Sequence, residues 1–293
     1  MPALVVGANL PDVDAACLFW LDGVEHLGFR RGITHGPPAL VLLPLLLAGL
    51  LWGFDRWQAQ RGKRPKGRLP VRFGWLYALA FIGCLTHPAL DWLNVYGIRL
   101  LEPFSSRWFY GDTLFIIDVW LWALMGFATW FSLRREKRGG EWRRPARIAI
   151  AVALAYIGVN GAITHAHERM TALDATGPTI ASPVPLAFWQ REIIIPVENL
   201  RYQVVAHYSG PTSEKVRPRT LGDPQLAYFC DLDALARLNT QTQAFLFWSR
   251  APFFERAADG SVMLRDARFT DPRARERFSV ALPDVACEEL PAE

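Results

Sequence analysis

Hydrophobic side chains gather into four long runs in the first half of the chain. The runs cover about residues 37–54, 73–90, 114–133 and 148–164, each 17 to 20 residues long. A hydrocarbon core of about 30 Å takes about 20 helical residues to cross, so each run predicts a span at the short end of the usual range. Buried helices of a soluble protein are the alternative, but four such runs in succession are rare in soluble domains. After residue 165 the pattern shortens. Segments 192–197, 201–207, 243–248, 261–265 and 277–282 have strand composition. Ala258-Asp-Gly260 reads as a hairpin turn, residues 231–239 as a short helix, and residues 176–185 as a linker with Pro, Gly and Ser. The predicted fold class is an α-helical integral membrane bundle with four spans, followed by a small β-rich extracytoplasmic domain. Residues 1–170 form the membrane part, 171–185 the linker and 186–293 the outer domain.

Charge gives these spans an orientation. Lys and Arg number 32 against 28 Asp and Glu, and the excess is local. Arg56, Arg61, Lys63, Arg64, Lys66, Arg68 and Arg72 lie between the first two runs; Arg134, Arg135, Lys137, Arg138, Arg143, Arg144 and Arg147 lie between the third and fourth. Only Arg99 and Arg107 lie between the second and third. The positive-inside rule then makes both basic loops cytoplasmic. Residues 1–35, the loop 91–112 and the tail after 165 face outward. No nucleic-acid motif accompanies the basic stretches, so no nucleic-acid partner is expected. Residues 1–20 lack a basic start and an apolar core, so no signal peptide is read. The four cysteines have no CxxC spacing and read as free thiols, with a Cys230–Cys287 bridge as the alternative in an oxidising compartment.

The outward ends of the runs carry the chemistry. In Thr86-His-Pro-Ala-Leu-Asp91-Trp-Leu-Asn94 the i, i+4 spacing puts His87 and Asp91 on one helix face, which Asn94 extends. Ionisable groups at the edge of a span are costly, and a function is the default reason for them. Asn9-Leu-Pro-Asp12-Val-Asp14 offers two carboxylates in a turn, and Arg30-Arg31-Gly-Ile-Thr34-His35 offers an imidazole beside two guanidiniums. A Pro-Asp turn, an interfacial histidine and a His–Asp helix cap are the ordinary readings of each alone. Together Asp12, Asp14, His35, His87 and Asp91 supply five ligands on one membrane face. They predict one or two divalent ions, zinc first, with manganese, magnesium or iron as alternatives. Such sites activate water and clamp phosphoryl oxygens. Asp12 and Asp91 are candidate catalytic groups, and Arg31 and Asn94 candidates to orient a phosphate. Asp112, and Asp118 within the third run, are candidates to hold a ligating histidine in its tautomer. His165 and His167 fall on different helix faces, and no relay accompanies Ser105 and Ser106, so neither pair is assigned a site.

The ordered set Pro-Asp12-x-Asp14, Arg31-Gly-x-Thr-His35, His87-x-x-x-Asp91-x-x-Asn94-x-x-Gly97 and Leu100-Leu-x-Pro-Phe104-Ser-x-x-Trp108 resembles the YdjM-like family of bacterial inner-membrane proteins. The resemblance covers roughly residues 5–120 and implies a multi-pass inner-membrane protein with a metal-dependent hydrolase site. The early part is also similar to zinc-dependent phospholipase C-like proteins. Such families open with a Thr-His helix ahead of the Pro-Asp-x-Asp segment. The expectation is that this ligand is missing or encoded upstream of Met1. Arg30 and Gly36 stand where a His and a Ser are usual, and Arg30 cannot ligate a metal.

Two main functional readings follow. One is a membrane metal-dependent hydrolase acting at the outer face on an ester or phosphodiester of a lipid or lipid-linked substrate. The other is a non-enzymatic scaffold or regulator with a structural metal. A transporter using Asp118 is a third, disfavoured because the spans show no repeat.

Overall fold

The computed structural model describes residues 2–65, 67–171, 177–197, 200–208, 218–272 and 274–282. Two compact units divide the chain, Met1–Tyr110 and Gly111–Glu293. The division precedes the change in composition near residue 170, because the last two long helices group with the sheets that follow them.

The first unit begins with α1 (Pro2–Gly7), a 3-10 segment Pro11–Phe19, α2 (His26–Phe29) and a 3-10 turn Ile33–His35. Two long helices follow, α3 (Pro37–Gln60) and α4 (Phe73–Trp92). Gly36 is the N-cap of α3, and Pro37 supplies the fixed φ that suits a first turn. Buried Ala3, Leu47 and Ala80 hold α1, α3 and α4 together, with Leu10, Leu51, Leu76 and Leu79 packed around them. Small residues set the spacing. A Cβ at Gly83 of α4 would overlap the Leu4 carbonyl, and one at Gly7 would overlap the Ala80 carbonyl. α1 therefore lies directly on the α4 backbone, and its end delivers the Ala8 carbonyl to α4.

The second unit starts with α5 (Val119–Lys137) and α6 (Arg143–Thr171). An antiparallel sheet follows, formed by β1 (Ile180–Pro183), β2 (Gln190–Pro196), β3 (Tyr202–Tyr208) and β4 (Arg219–Leu221) in that order. Helices α7 (Pro224–Phe229), α8 (Leu232–Leu238) and α9 (Thr240–Trp248) come next. A second antiparallel sheet has β5 (Pro252–Arg256), β6 (Val262–Asp266) and β7 (Ser279–Leu282) in that order. Ile180, Ile194, Tyr202, Val204, Ala251, Phe253 and Ala267 form one core cluster shared by both sheets. Arg191, fully buried on β2, donates to the Asn160 carbonyl at 2.9 Å and to Thr164 Oγ1 at 2.9 Å, fastening the first sheet to α6.

Among the described residues, three helices are long and apolar enough to cross a membrane: Pro37–Gln60, Phe73–Trp92 and Arg143–Met170. Only 11%, 22% and 17% of their most apolar windows is buried within the structure. Helices apolar all round and left uncovered by protein suit lipid, not the interior of a soluble domain. The third run differs from expectation. Its helix starts at Val119, after Asp118 accepts a hydrogen bond from the Leu121 amide at 2.9 Å. Asp118 is thus a helix cap and not a residue inside a span.

Elsewhere the tail corrects three expectations. Residues 243–248 belong to α9, where Asn239 caps the start and Thr242, Phe245 and Trp248 are buried at helical spacing. The expected linker contains β1, whose Ile180 pairs with Ile194. Cys230 is disulfide-bonded, while Cys17 and Cys84 are free. Cys287 lies outside the described residues. The hairpin turn holds: Ala257 N–H donates to the Ser261 carbonyl at 2.8 Å between β5 and β6.

Gly83 gives a direct check of the α1–α4 contact. Gly83→Val should destabilise the protein by about 1–3 kcal/mol, the usual cost of overpacking. Thermal unfolding in detergent measures it, with Gly49→Val, whose added Cβ meets nothing within 4 Å, as the control.

Candidate metal centre

Four donor atoms from three stretches of the first unit face one another. His87 Nε2 lies 3.4 Å from Asp91 Oδ2 and 3.6 Å from Asp12 Oδ2. His35 Nε2 lies 3.5 Å from the same Asp91 Oδ2. Asp12, His35 and His87 each offer a ligand atom within 4.8 Å of the others. His35 Nε2, His87 Nε2 and Asp91 Oδ2 are all buried and make no hydrogen bond. Donors on a tetrahedral ion with bonds of about 2.1 Å stand about 3.4 Å apart. The three spacings of 3.4, 3.5 and 3.6 Å match that edge. Two imidazoles and two carboxylates suit zinc, with manganese and iron as further choices.

Each inward atom is aimed by a contact on the outer side of its group. His87 Nδ1 is 2.8 Å from the Ala8 carbonyl. That bond requires the proton on Nδ1 and leaves Nε2 with its lone pair directed inward. His35 Nδ1 is 3.0 Å from Thr34 Oγ1 and 3.6 Å from Asp14 Oδ2. The carboxylates are divided in the same manner. Arg30 Nη2 donates to Asp12 Oδ1 at 2.9 Å, and Arg31 Nη2 lies 3.0 Å from Asp91 Oδ1. Two consecutive arginines therefore each hold one oxygen of a carboxylate and leave the other for the centre.

The backbone around Arg31 is shaped for this. Its φ of 55° is in the left-handed region, where a non-glycine residue is strained. Several contacts fix that conformation. The Arg31 amide donates to Asp14 Oδ2 at 2.7 Å. Its Nη1 donates to Asn94 Oδ1 at 3.0 Å and to the Gly97 carbonyl at 3.2 Å, and its guanidinium lies 4.5 Å over the Tyr96 ring. Arg99, buried on the facing loop, donates from Nη2 to the Gly28 and Phe29 carbonyls at 2.9 Å each. A Cβ at Gly36 would overlap the Glu102 carbonyl, so the serine usual there has no room.

The structure thus gathers Asp12, His35 and His87 within 4.8 Å of one another and sets Asp91 against both imidazoles. It places Asp14 behind His35, accepting from the Arg31 amide and from Thr34 Oγ1. Arg31 and Asn94 bind each other. Among the described contacts, the two carboxylates proposed to hold a histidine have partners in the second unit. Asp112 Oδ2 pairs with Arg250 Nη2 at 2.5 Å, and Asp118 Oδ2 accepts from the Tyr156 hydroxyl at 2.8 Å. Sequence reasoning missed Arg30 as a carboxylate clamp, the Ala8 carbonyl, and Arg99. Only the last carries a sequence signal, an Arg99–Glu102 pair at i, i+3 with 2.9 Å between charges.

Helices suited to cross a membrane, joined to a polar cluster whose residues could hold a metal ion, define an integral membrane protein with a candidate metal centre. The chain belongs to the YdjM inner membrane protein family, whose model matches residues 1–167. No curated protein and no solved structure matches it.

The two carboxylate clamps predict an order of effects. Arg31→Met should weaken zinc affinity about 10–100-fold, as loss of a group that orients a ligand does. Asp14→Asn should cost less than Asp91→Asn, because Asp14 adds no atom to the inner set. Competition with a chromogenic chelator measures all three.

Proposed function

We propose that this protein is a metal-dependent hydrolase of the bacterial inner membrane, acting at the extracytoplasmic face on an ester or phosphodiester of a lipid or lipid-linked substrate. The observation that carries the reading is the set of unsatisfied buried atoms, His35 Nε2, His87 Nε2 and Asp91 Oδ2, at ligand spacing. Buried donors and acceptors without partners are costly, and a divalent ion bound by these atoms and by Asp12 Oδ2 removes that cost. A bound ion supplies Lewis acidity and lowers the pKa of a coordinated water.

The residues of the chain do the rest. Asp12, Asp91, His35 and His87 hold the ion. Arg30 and Arg31 keep the two ligating carboxylates from turning, and Asn94 holds Arg31. Three carboxylates (Asp12, Asp14 and Asp91) face two guanidiniums, which leaves one net negative charge when both imidazoles are neutral. A divalent ion makes the centre net positive, which suits a phosphate or a developing oxyanion. Asp12 is the most open of the four ligands, with a side chain 43% exposed against 0% for His35. The open side at Asp12 is where substrate and water reach the centre.

Topology supports the same placement. The basic segments after α3 and between α5 and α6 point to the cytoplasm under the positive-inside rule. The site is built at the opposite ends of α3 and α4. α5, 19 residues long, extends about 28 Å at 1.5 Å per residue and makes the fourth crossing. Its last turn holds Arg134, Arg135 and Lys137, in keeping with a cytoplasmic end. The disulfide at Cys230 supports an oxidising compartment for the tail.

Purified protein in detergent should carry about one zinc per chain, and His87→Ala and Asp91→Ala should lose it. Hydrolysis of a phosphodiester lipid should disappear with chelation and return with zinc. Full metal content with no turnover of ester or phosphodiester lipids would instead establish the scaffold reading. For topology, Asp259→Cys should react with an impermeant maleimide in spheroplasts, and Gln60→Cys only after permeabilisation. The reverse pattern would place the site in the cytoplasm.

A further inference from the structure

The 3-10 segment that carries Asp12 and Asp14 has two faces. Pro11, Asp14 and Cys17 are buried at a spacing of three, the period of that helix. Its far end turns three large apolar side chains outward in succession: Leu18 at 54% exposure, Phe19 at 91% and Trp20 at 59%. Phe29 is also exposed, and its ring meets Trp20 edge-on at 6.3 Å. Ile33, four residues before α3, adds a fifth exposed apolar side chain. Consecutive exposed residues of this size are a liability in water and mark a surface meant to be covered.

We infer that Leu18, Phe19 and Trp20 form a wedge inserted into the outer leaflet of the bilayer. The lipid surface is chosen over a protein partner because the patch continues a surface already assigned to lipid. Ile33 leads through Gly36 into α3, where Val41, Leu42, Leu45 and Leu46 are exposed on a helix apolar enough to cross the membrane. The patch therefore lies near the level where α3 enters the bilayer. Tryptophan is the residue favoured at that boundary, and an apolar tip of this kind settles among headgroups and upper acyl chains. The inference rests on membrane residence and exposure, not on hydrolase activity.

The two ends of the segment are then tied to different things. Asp12, near its start, is held by Arg30, and Phe29 beside Arg30 packs on Trp20. The wedge thus seats the open edge of the metal centre against the headgroup region.

Phe19→Cys labelled with a nitrobenzoxadiazole dye tests the inference. Native Cys17 and Cys84 are buried, and the labelled unmutated protein gives the background. The protein is reconstituted in phosphatidylcholine–phosphatidylglycerol vesicles containing lipids with a nitroxide high on the acyl chain. Asp259→Cys, at the exposed β5–β6 turn, is the comparison. The label at residue 19 should show blue-shifted emission and roughly two-fold or greater quenching by the nitroxide lipid. Water-like emission, with quenching no greater than at residue 259, overturns the wedge. Since the readout needs neither metal nor substrate, its failure leaves the hydrolase reading to its own experiment.

Discussion

Arg30 and Arg31 divide two carboxylates, and the candidate site depends on that division. A carboxylate has two equivalent oxygens, and in a crowded polar pocket it would satisfy itself with nearby donors. Here each arginine occupies one oxygen, at 2.9 Å on Asp12 and 3.0 Å on Asp91. The second oxygen of each then faces the imidazoles, whose outer nitrogens are engaged by Ala8 and by Thr34. Buried inner atoms left without partners are costly without a cation. The outer contacts alone do not explain why the inner atoms lack partners.

Within the first unit, the fold is tight around the site and open along α3 and α4. Gly7 and Gly83 let α1 lie against α4, which places the Ala8 carbonyl on His87. Arg99 gathers the carbonyls before Arg30 and receives the Arg31 carbonyl on its own amide at 3.0 Å. The strained Arg31 backbone is held between these contacts. Along α3 and α4, by contrast, few side chains find protein partners, because lipid covers them. Packing energy is concentrated at the end of the bundle where the polar groups are, and that end needs rigidity to keep ligands at bonding distance.

Much of this was legible in the chain. The apolar runs located α3, α4 and α6, and the i, i+4 spacing of His87 and Asp91 placed two of the four inner donors. Asp12 and His35 followed from the expectation that both lie on the same side of the membrane as His87. What sequence could not supply was the direction of each side chain. Asp14 looked equivalent to Asp12, yet a segment with a period of three buries Asp14 beneath His35 and leaves Asp12 at the edge. Arg30 looked like a lost ligand and is a clamp. Residues 243–248 have strand composition, but a short apolar run does not fix its own period, and the Asn239 cap decides for a helix. Asp118 sat inside an apolar run, and its capping bond moved the helix start past it.

The departure at Arg30 bears on mechanism more than any other position. A histidine there would add a nitrogen donor and leave Asp12 free to use either oxygen. An arginine removes a ligand, adds a fixed positive charge and locks Asp12 in one orientation. On the reading proposed above, this arrangement suits one ion better than two sharing a bridge, and the positive charge that a phosphate would call for besides that ion would come from protein. Arg30, 25% exposed at its side chain and beside the open edge at Asp12, is the guanidinium nearest to solvent among those contacting the site. On the proposed reading, a fixed cation at this position would suit an anionic substrate.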